Sequence, residues 1–433
     1  MIKEYRFGYG DGTVTVNLPA ERVINVVDGK PVAPLTDVEA AVQTALRHPI
    51  GSPPLKDVVQ SGDKVAIIAS DITRKWVRHD LFLPTLLNEL NKAGIPDADI
   101  TLVVALGAHR HHTAEENILT YGQQVVDRIE IVQSHAPETD EFVYIGKTSR
   151  GNEVSLNKHV VNAEKVIMTG GIVHHLMAGF GGGRKSIVPG VASYSTIQAN
   201  HSLCLHDVVG QGVSPECIAG KLESNPMHED LVEMAQLLKP AFLLNAVFTP
   251  NGEFASFVAG HWYEAWLAGC KTAQEIFGVN VNGKADLVIA SAGGFPKDIN
   301  LYQGSKSICN AFLAAKTGGV VILLLECRDM MEPPDFSDWF NYESIYDREL
   351  ALRKAFTVPG FIALKLGTMA QEIPHILVSL PQNKEFIEKT GMIAATSIEE
   401  ALLIAEKKLG RADYTITVMA HAANTVPLVA ITK

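Results

Sequence analysis

The chain has 433 residues, of which 47% are hydrophobic and 20% charged, and its formal net charge is −11. That length exceeds a typical single core and predicts two domains, while the acidic balance excludes a general binder of nucleic acid or anionic membrane but not a small anion in a locally basic pocket. Five scattered cysteines without a CxxC pair (Cys204, Cys217, Cys270, Cys309, Cys327) exclude a zinc ribbon and a disulfide framework, and with no apolar signal core or membrane-length apolar run the expected location is the cytoplasm.

Residues 3–18 alternate around Gly8-Tyr9-Gly10-Asp11-Gly12 and read as a β-hairpin. Strands are then predicted at 64–70, 100–106, 129–132 and 166–169, with helices at 81–93 and 114–121. A second series begins near Ala285, with strands at 287–290, 320–325, 375–379 and 414–418 and helices at 305–316 and 397–409. Residues 263–277 and 397–409 read as helices bridging two lobes. Short apolar runs separated by helical periods specify an α/β protein of two lobes, with parallel-rich sheets and helices on both faces. The expected domains are 1–267, completed by 411–433, and 268–410.

Open parallel sheets bind ligands beyond the carboxyl ends of their strands. DITR at 71–74 and GAHR at 107–110 follow the first two strands, and the glycine run of 179–183 follows another. In the second series, Gly293-Gly294-Phe295 follows a strand, with Tyr302, Gln303 and Lys306 just after. The active site is expected in the cleft where these strand ends converge.

Residues 174–202, HHLMAGFGGGRKSIVPGVASYSTIQANHS, are the densest in chemistry. Gly182 and Gly183 give the backbone freedom for close approach to a ligand, Lys185 presents an amine, and His175 and His201 offer imidazoles for proton transfer or metal ligation. The run looks like a phosphate-binding P-loop but fails its pattern. Arg184 stands where glycine must precede the lysine, and Pro189-Gly190 stops a helix after one turn.

Other groups have a structural and a functional reading. His109-Arg110-His111-His112 is rich in imidazole yet lacks HExxH spacing, and only His109 is favoured for function, by its strand-end position. Asp71 reads equally as a helix cap or a site residue. Arg74 is favoured as an anion fork, and Tyr302 and Lys306 would share a helical face. His48, His79, His135, His159, His228, His261, His375 and His421 stand singly and read as structural or surface residues.

In this order, these motifs resemble the nickel-pincer lactate racemases and their homologues over nearly the whole chain. The resemblance implies a covalent pyridinium-3-thioamide-5-thiocarboxylic acid mononucleotide attached at Lys185, with Asp71, Gly182 and Gly183 around it. It further implies nickel held between a ring carbon and two sulfurs, with His201 as protein ligand, a donor set suited to square-planar Ni(II). His109 and His175 match the two acid–base histidines, one for each hand of a 2-hydroxy acid. Arg74, Tyr302, Gln303 and Lys306 match the carboxylate grip. The implied activity is inversion at C2 by reversible hydride transfer through a 2-oxo acid, and the implied partners are the cofactor-biosynthesis proteins.

Lys75-Trp76 after DITR, His111-His112 and Lys297 depart from the family pattern and predict a polar 2-hydroxy acid, malate-like or sugar-acid-like, in preference to lactate. Two other readings compete. A nicotinamide-dependent dehydrogenase fits the lobes but lacks GxGxxG. A non-catalytic carrier of the pincer nucleotide or nickel would need only Lys185 and His201.

Overall fold

The computed structural model describes residues 1–429; the expectation for 430–433 lies outside the described residues. The chain forms two compact units, one of residues 31–204 and 216–276, the other of 1–30, 205–215 and 277 onward.

The first unit is built on a six-stranded sheet. Its order is Phe254–Gly260, Phe242–Phe248, Lys165–Ile172, Val65–Ser70, Ile100–Gly107, Glu130–His135. All neighbours are parallel except Phe254–Gly260, which runs antiparallel at the edge. Val65–Ser70 and Phe242–Phe248 are buried almost throughout, as strands covered on both faces must be. Pleating sends Val65, Ile67 and Ala69 to one face, where they meet Val42 and Leu46 of helix Val38–Arg47 and Phe82, Leu83, Leu86 and Leu90 of helix His79–Lys92.

The chain moves outward from Val65–Ser70 through Ile100–Gly107 to Glu130–His135, then returns to place Lys165–Ile172 on the opposite side of Val65–Ser70. Connections diverging from two adjacent strands leave a crevice beyond their carboxyl ends. Asp71 follows one of these strands, and residues 173–190 follow the other.

The second unit has its own six-stranded parallel sheet. Its order is Ile393–Ala395, His375–Val378, Ala315–Leu324, Ala285–Ser291, Ile416–Met419, Val23–Val26. The predicted hairpin, Ile2–Tyr9 with Gly12–Pro19, lays Phe7, Val16 and Leu18 on this sheet's core. Here the order reverses between Ala285–Ser291 and Ile416–Met419. Residues 292–300 and helix Leu301–Ala314 follow the first of that pair.

The α/β class and most elements agree with the sequence reading; helix Ala114–Tyr121 has the expected bounds. The units are less sequential than expected. Residues 411–429, expected to complete the N-terminal domain, contribute Ile416–Met419 to the second sheet, and residues 1–30 also lie in that unit. A parallel strand needs a neighbour, and Val23–Val26 finds it only beside Ile416–Met419. Such pairing over hundreds of residues leaves no local signal.

Phe82 is fully buried, with Phe254 and Phe257 ring centroids 6.3 and 5.5 Å away. Phe82→Ala should therefore cost about 3–5 kcal/mol, whereas Leu119→Ala, at a residue 52% exposed, should change stability by no more than about 0.5 kcal/mol. Urea unfolding compares them, and equal midpoints would contradict the packing described.

Candidate active site

Asp71 and His109 are brought together by adjacent parallel strands, since each lies just past a carboxyl end. His109 Nδ1 is 2.7 Å from Asp71 Oδ2, and Thr73 Oγ1 donates to Asp71 Oδ1 at 2.6 Å. Burial raises the Asp71 carboxyl's affinity for a proton, but bonds from His109 and Thr73 and the charge of Arg74 outweigh it, so its pKa is lowered. An ionised carboxylate only accepts, so His109 carries its proton on Nδ1 and its lone pair on Nε2. Because the folded pKa is depressed, Asp71's contribution to stability is complete above about pH 4 and is lost as pH falls through the folded value. Arg74 is exposed beside the pair, its Nη1 donating to Thr73 Oγ1 at 3.0 Å.

The glycine run passes into a single 3-10 turn, Gly183–Ser186, and the next helix begins only at Tyr194. No helix N-terminus therefore faces a phosphate here, as the P-loop mismatch predicts. The turn is fixed by Arg184, which the sequence marks only as a departure from the P-loop pattern. Its buried guanidinium donates to Phe180 O at 2.9 Å, Ala178 O at 2.6 Å and His228 Nδ1 at 3.0 Å, and lies 3.8 Å from the Trp266 ring centroid. Trp266 Nε1 donates to Gly181 O, and Asn245 Oδ1 accepts the Gly183 N–H. Gly182 and Gly183 have φ of 67° and 51°, and a Cβ on Gly183 would lie 2.5 Å from Trp266. Both glycines thus serve protein packing. Two neighbouring residues, Gly190 and Gly107, are joined when the Gly107 N–H donates to Gly190 O at 2.9 Å, tying the His109 loop to this segment.

Lys185 follows Arg184 and is partly buried. Burial, with the charges of Arg184 and Arg74, pushes its amine down to about 7. His201 is buried on helix Tyr194–Ser202, and its Nδ1 donates to Ile197 O at 3.0 Å, leaving the lone pair of the neutral ring on Nε2. Burial and then Lys185 hold its pKa down to about 3. His175 is held well below the usual histidine range by burial and by Lys185, His201, Arg74 and Arg184. Its Nδ1 accepts from the N–H groups of Met177 and Ala178 at 3.2 Å, so the neutral ring carries its proton on Nε2. The two histidines rest as opposite tautomers, one with a basic Nε2 and the other with an Nε2 donor. His174, by contrast, pairs with Gln274 and packs on Phe180.

His112 is buried, its Nε2 accepting from the Ile72 N–H at 2.7 Å and its Nδ1 bonded to Asn117 Oδ1 at 3.0 Å. His111 is engaged with Gln133 and Glu138. Neither ring supplies the uncommitted donor expected of a polar substrate pocket. Trp76 meets Phe248 edge-on at 5.1 Å, while Lys75 is exposed. Tyr302, Gln303 and Lys306 lie in the second unit, in the first two turns of helix Leu301–Ala314, which Asn300 caps by accepting the Gln303 N–H. Tyr302 packs against Phe336, and Lys297 is exposed.

The profile described as "Lactate racemase N-terminal domain" matches residues 9–212, and that described as "Lactate racemase C-terminal domain" matches 281–426. The lactate racemase of Thermoanaerobacterium thermosaccharolyticum is 33% identical over 405 residues, spanning 92% of this chain and 93% of its own length. That of Lactiplantibacillus plantarum is 33% identical over 382 residues, spanning 86% and 87%. The solved lactate racemase apoprotein from T. thermosaccharolyticum superposes with a TM-score of 0.86 at 31% identity, covering 98% of this chain and 100% of that one. A Thermotoga maritima protein shares the fold with a TM-score of 0.62 at 15% identity, covering 92% and 100%.

A lysine held at about 7 folds at a cost, because its charged form is poorly solvated. The cost is full below pH 7 and fades as pH rises toward the unfolded value of about 10.4. Lys185→Met should thus raise the melting temperature most at pH 6–7, with the gain shrinking toward pH 10. A gain independent of pH would show that the amine is not depressed.

Proposed function

The chain belongs to the lactate racemase family, and we propose that it is a racemase or epimerase inverting C2 of a small 2-hydroxy acid through a 2-oxo acid. The observation that carries this reading is a partly buried Lys185 amine pushed down to about 7, whose charge is felt by the buried His201 ring tied to the backbone through Nδ1. That pair fits a covalently attached nickel-pincer nucleotide. A partly deprotonated amine is the form that makes a covalent bond, and an imidazole whose Nδ1–H is engaged presents Nε2 to a metal. Lys185 would carry the nucleotide and His201 would ligate nickel. When bound, the group supplies the hydride acceptor that a weakly acidic C–H beside a carboxylate and hydroxyl requires.

The chain's own groups supply geometry and protons. Arg74 holds the substrate carboxylate in a planar fork, with Tyr302, Gln303 and Lys306 proposed as further contacts. His109 Nε2 removes the hydroxyl proton of one enantiomer, and Asp71 stabilises the imidazolium that forms, as a buried carboxylate does in a catalytic triad. His175 is proposed as the second acid–base group, its neutral ring donating a hydrogen bond from Nε2 to the oxygen on the other side. It acts as an acid only after taking up a second proton as the imidazolium, and the two rings exchange roles in reverse. Among the described residues, Lys185, Arg184 and Arg74 make a positive locality in a chain of net charge −11, which suits an anionic substrate.

Production alongside the cofactor-biosynthesis proteins tests the assignment. Wild type should show a mass adduct that Lys185→Ala loses, while His201→Ala should keep the adduct and lose nickel. An adduct surviving in Lys185→Ala, or stoichiometric nickel in His201→Ala, would remove that residue from its role.

His109→Ala and His175→Ala should each lower kcat/KM about 10²–10⁴-fold in both directions, because equilibrium fixes the ratio of the forward and reverse kcat/KM values. Asp71→Asn should lower kcat with little change in KM, since it leaves the carboxylate grip intact. A change confined to KM would place Asp71 outside proton transfer.

A further inference from the structure

His111, His135 and Glu138 lie apart from the groups assigned above. His135 ends strand Glu130–His135, Glu138 follows three residues later, and His111 belongs to the loop after the neighbouring strand Ile100–Gly107. His111 Nε2 is 2.7 Å and His135 Nδ1 3.4 Å from the same atom, Glu138 Oε1, and the two ring centroids are 4.4 Å apart. All three ligand atoms fall within 4.8 Å of one another.

The hydrogen bonds around His111 fix which of its nitrogens can bind a cation. Gln133 Oε1 accepts the His112 backbone N–H at 2.8 Å, and Gln133 Nε2 donates to His112 O at 3.2 Å, so the amide is oriented by the backbone. That same Oε1 faces His111 Nδ1 at 3.2 Å, making Nδ1 the donor. The lone pair of the neutral ring then lies on Nε2, 2.7 Å from Glu138 Oε1. Two electron-rich atoms so close require a shared cation, either a second ring proton or a metal. Arg110 does not supply it, being paired with Glu116.

We propose that His111, His135 and Glu138 form a second metal site, taking a borderline divalent transition cation such as zinc. Two imidazoles and one carboxylate, with water completing the shell, match the donors that zinc prefers and that calcium or magnesium do not. Gln133 is the positioning residue, holding the His111 tautomer as outer partners of metal ligands do. The ligands' partial exposure, 46% for His111 and Glu138 and 20% for His135, leaves room to close on an ion. Bound metal would staple the loop carrying His109 to the end of the next strand. The site does not depend on the racemase reading.

Full-length protein made without the nucleotide and stripped with chelator, titrated with Co²⁺ by visible absorption and with Zn²⁺ by calorimetry, tests the site. One equivalent should bind, and His201→Ala and His48→Ala should retain it. His111→Ala, His135→Ala and Glu138→Gln should each weaken it about tenfold or more, and Gln133→Ala roughly tenfold. These are surface or partly exposed positions, and circular dichroism confirms that each variant is folded. Wild-type binding no tighter than that of His135→Ala would overturn the site, as would loss of the equivalent in His201→Ala alone.

Discussion

A buried guanidinium governs the architecture of the candidate site. Arg184 leaves water completely, which is tolerable only because its donors meet two loop carbonyls and a histidine nitrogen while its plane lies on Trp266. Those same bonds close residues 178–184 into one shape, and that shape dictates where Lys185 must emerge. The charge also acts on its neighbours. It helps depress Lys185, and it contributes to holding His175 and His228 neutral. One residue thus sets the geometry of the loop and the protonation of the groups around it, and its replacement would disturb both together.

The rest of the first unit serves to place groups at that loop. Strand order reverses between Val65–Ser70 and Lys165–Ile172, so their following segments part and leave a crevice. Asp71 enters from one strand, the glycine segment from the other, and His109 from the next strand out. The bond from the Gly107 N–H to Gly190 O joins the last two. The second unit repeats the arrangement, with helix Leu301–Ala314 leaving its own reversal point.

Under the proposed function, opposite tautomers at His109 and His175 would place a proton acceptor on one side of the substrate and a hydrogen-bond donor on the other. A carboxylate holds one ring and two backbone N–H groups hold the other. One ring presents a lone pair at Nε2 and the other a hydrogen-bond donor. Burial of several cations and imidazoles at the same place costs stability. That is the expected pattern where chemistry, and not packing, selects the residues.

Much of this was legible in the chain itself. Alternating short apolar runs and helical periods specified an α/β fold, because a strand buried on both faces must be apolar throughout. DITR, GAHR and residues 174–202 pointed to the candidate site because strand ends, glycine runs and clustered polar residues are local features. Arg184 stood in the glycine run only as a departure from a P-loop, since its partners Trp266 and His228 are distant in sequence. His112 and His111 read as pocket donors until folding committed their nitrogens, and His135 read as solitary until strand pairing set it beside His111. The domain bounds were likewise hidden, as Val23–Val26 joins a strand nearly four hundred residues away. Sequence fixes what a residue can do and what its near neighbours favour. Burial, tautomer and partner depend on atoms that only the fold brings within hydrogen-bonding distance, and so only the tertiary structure decided them.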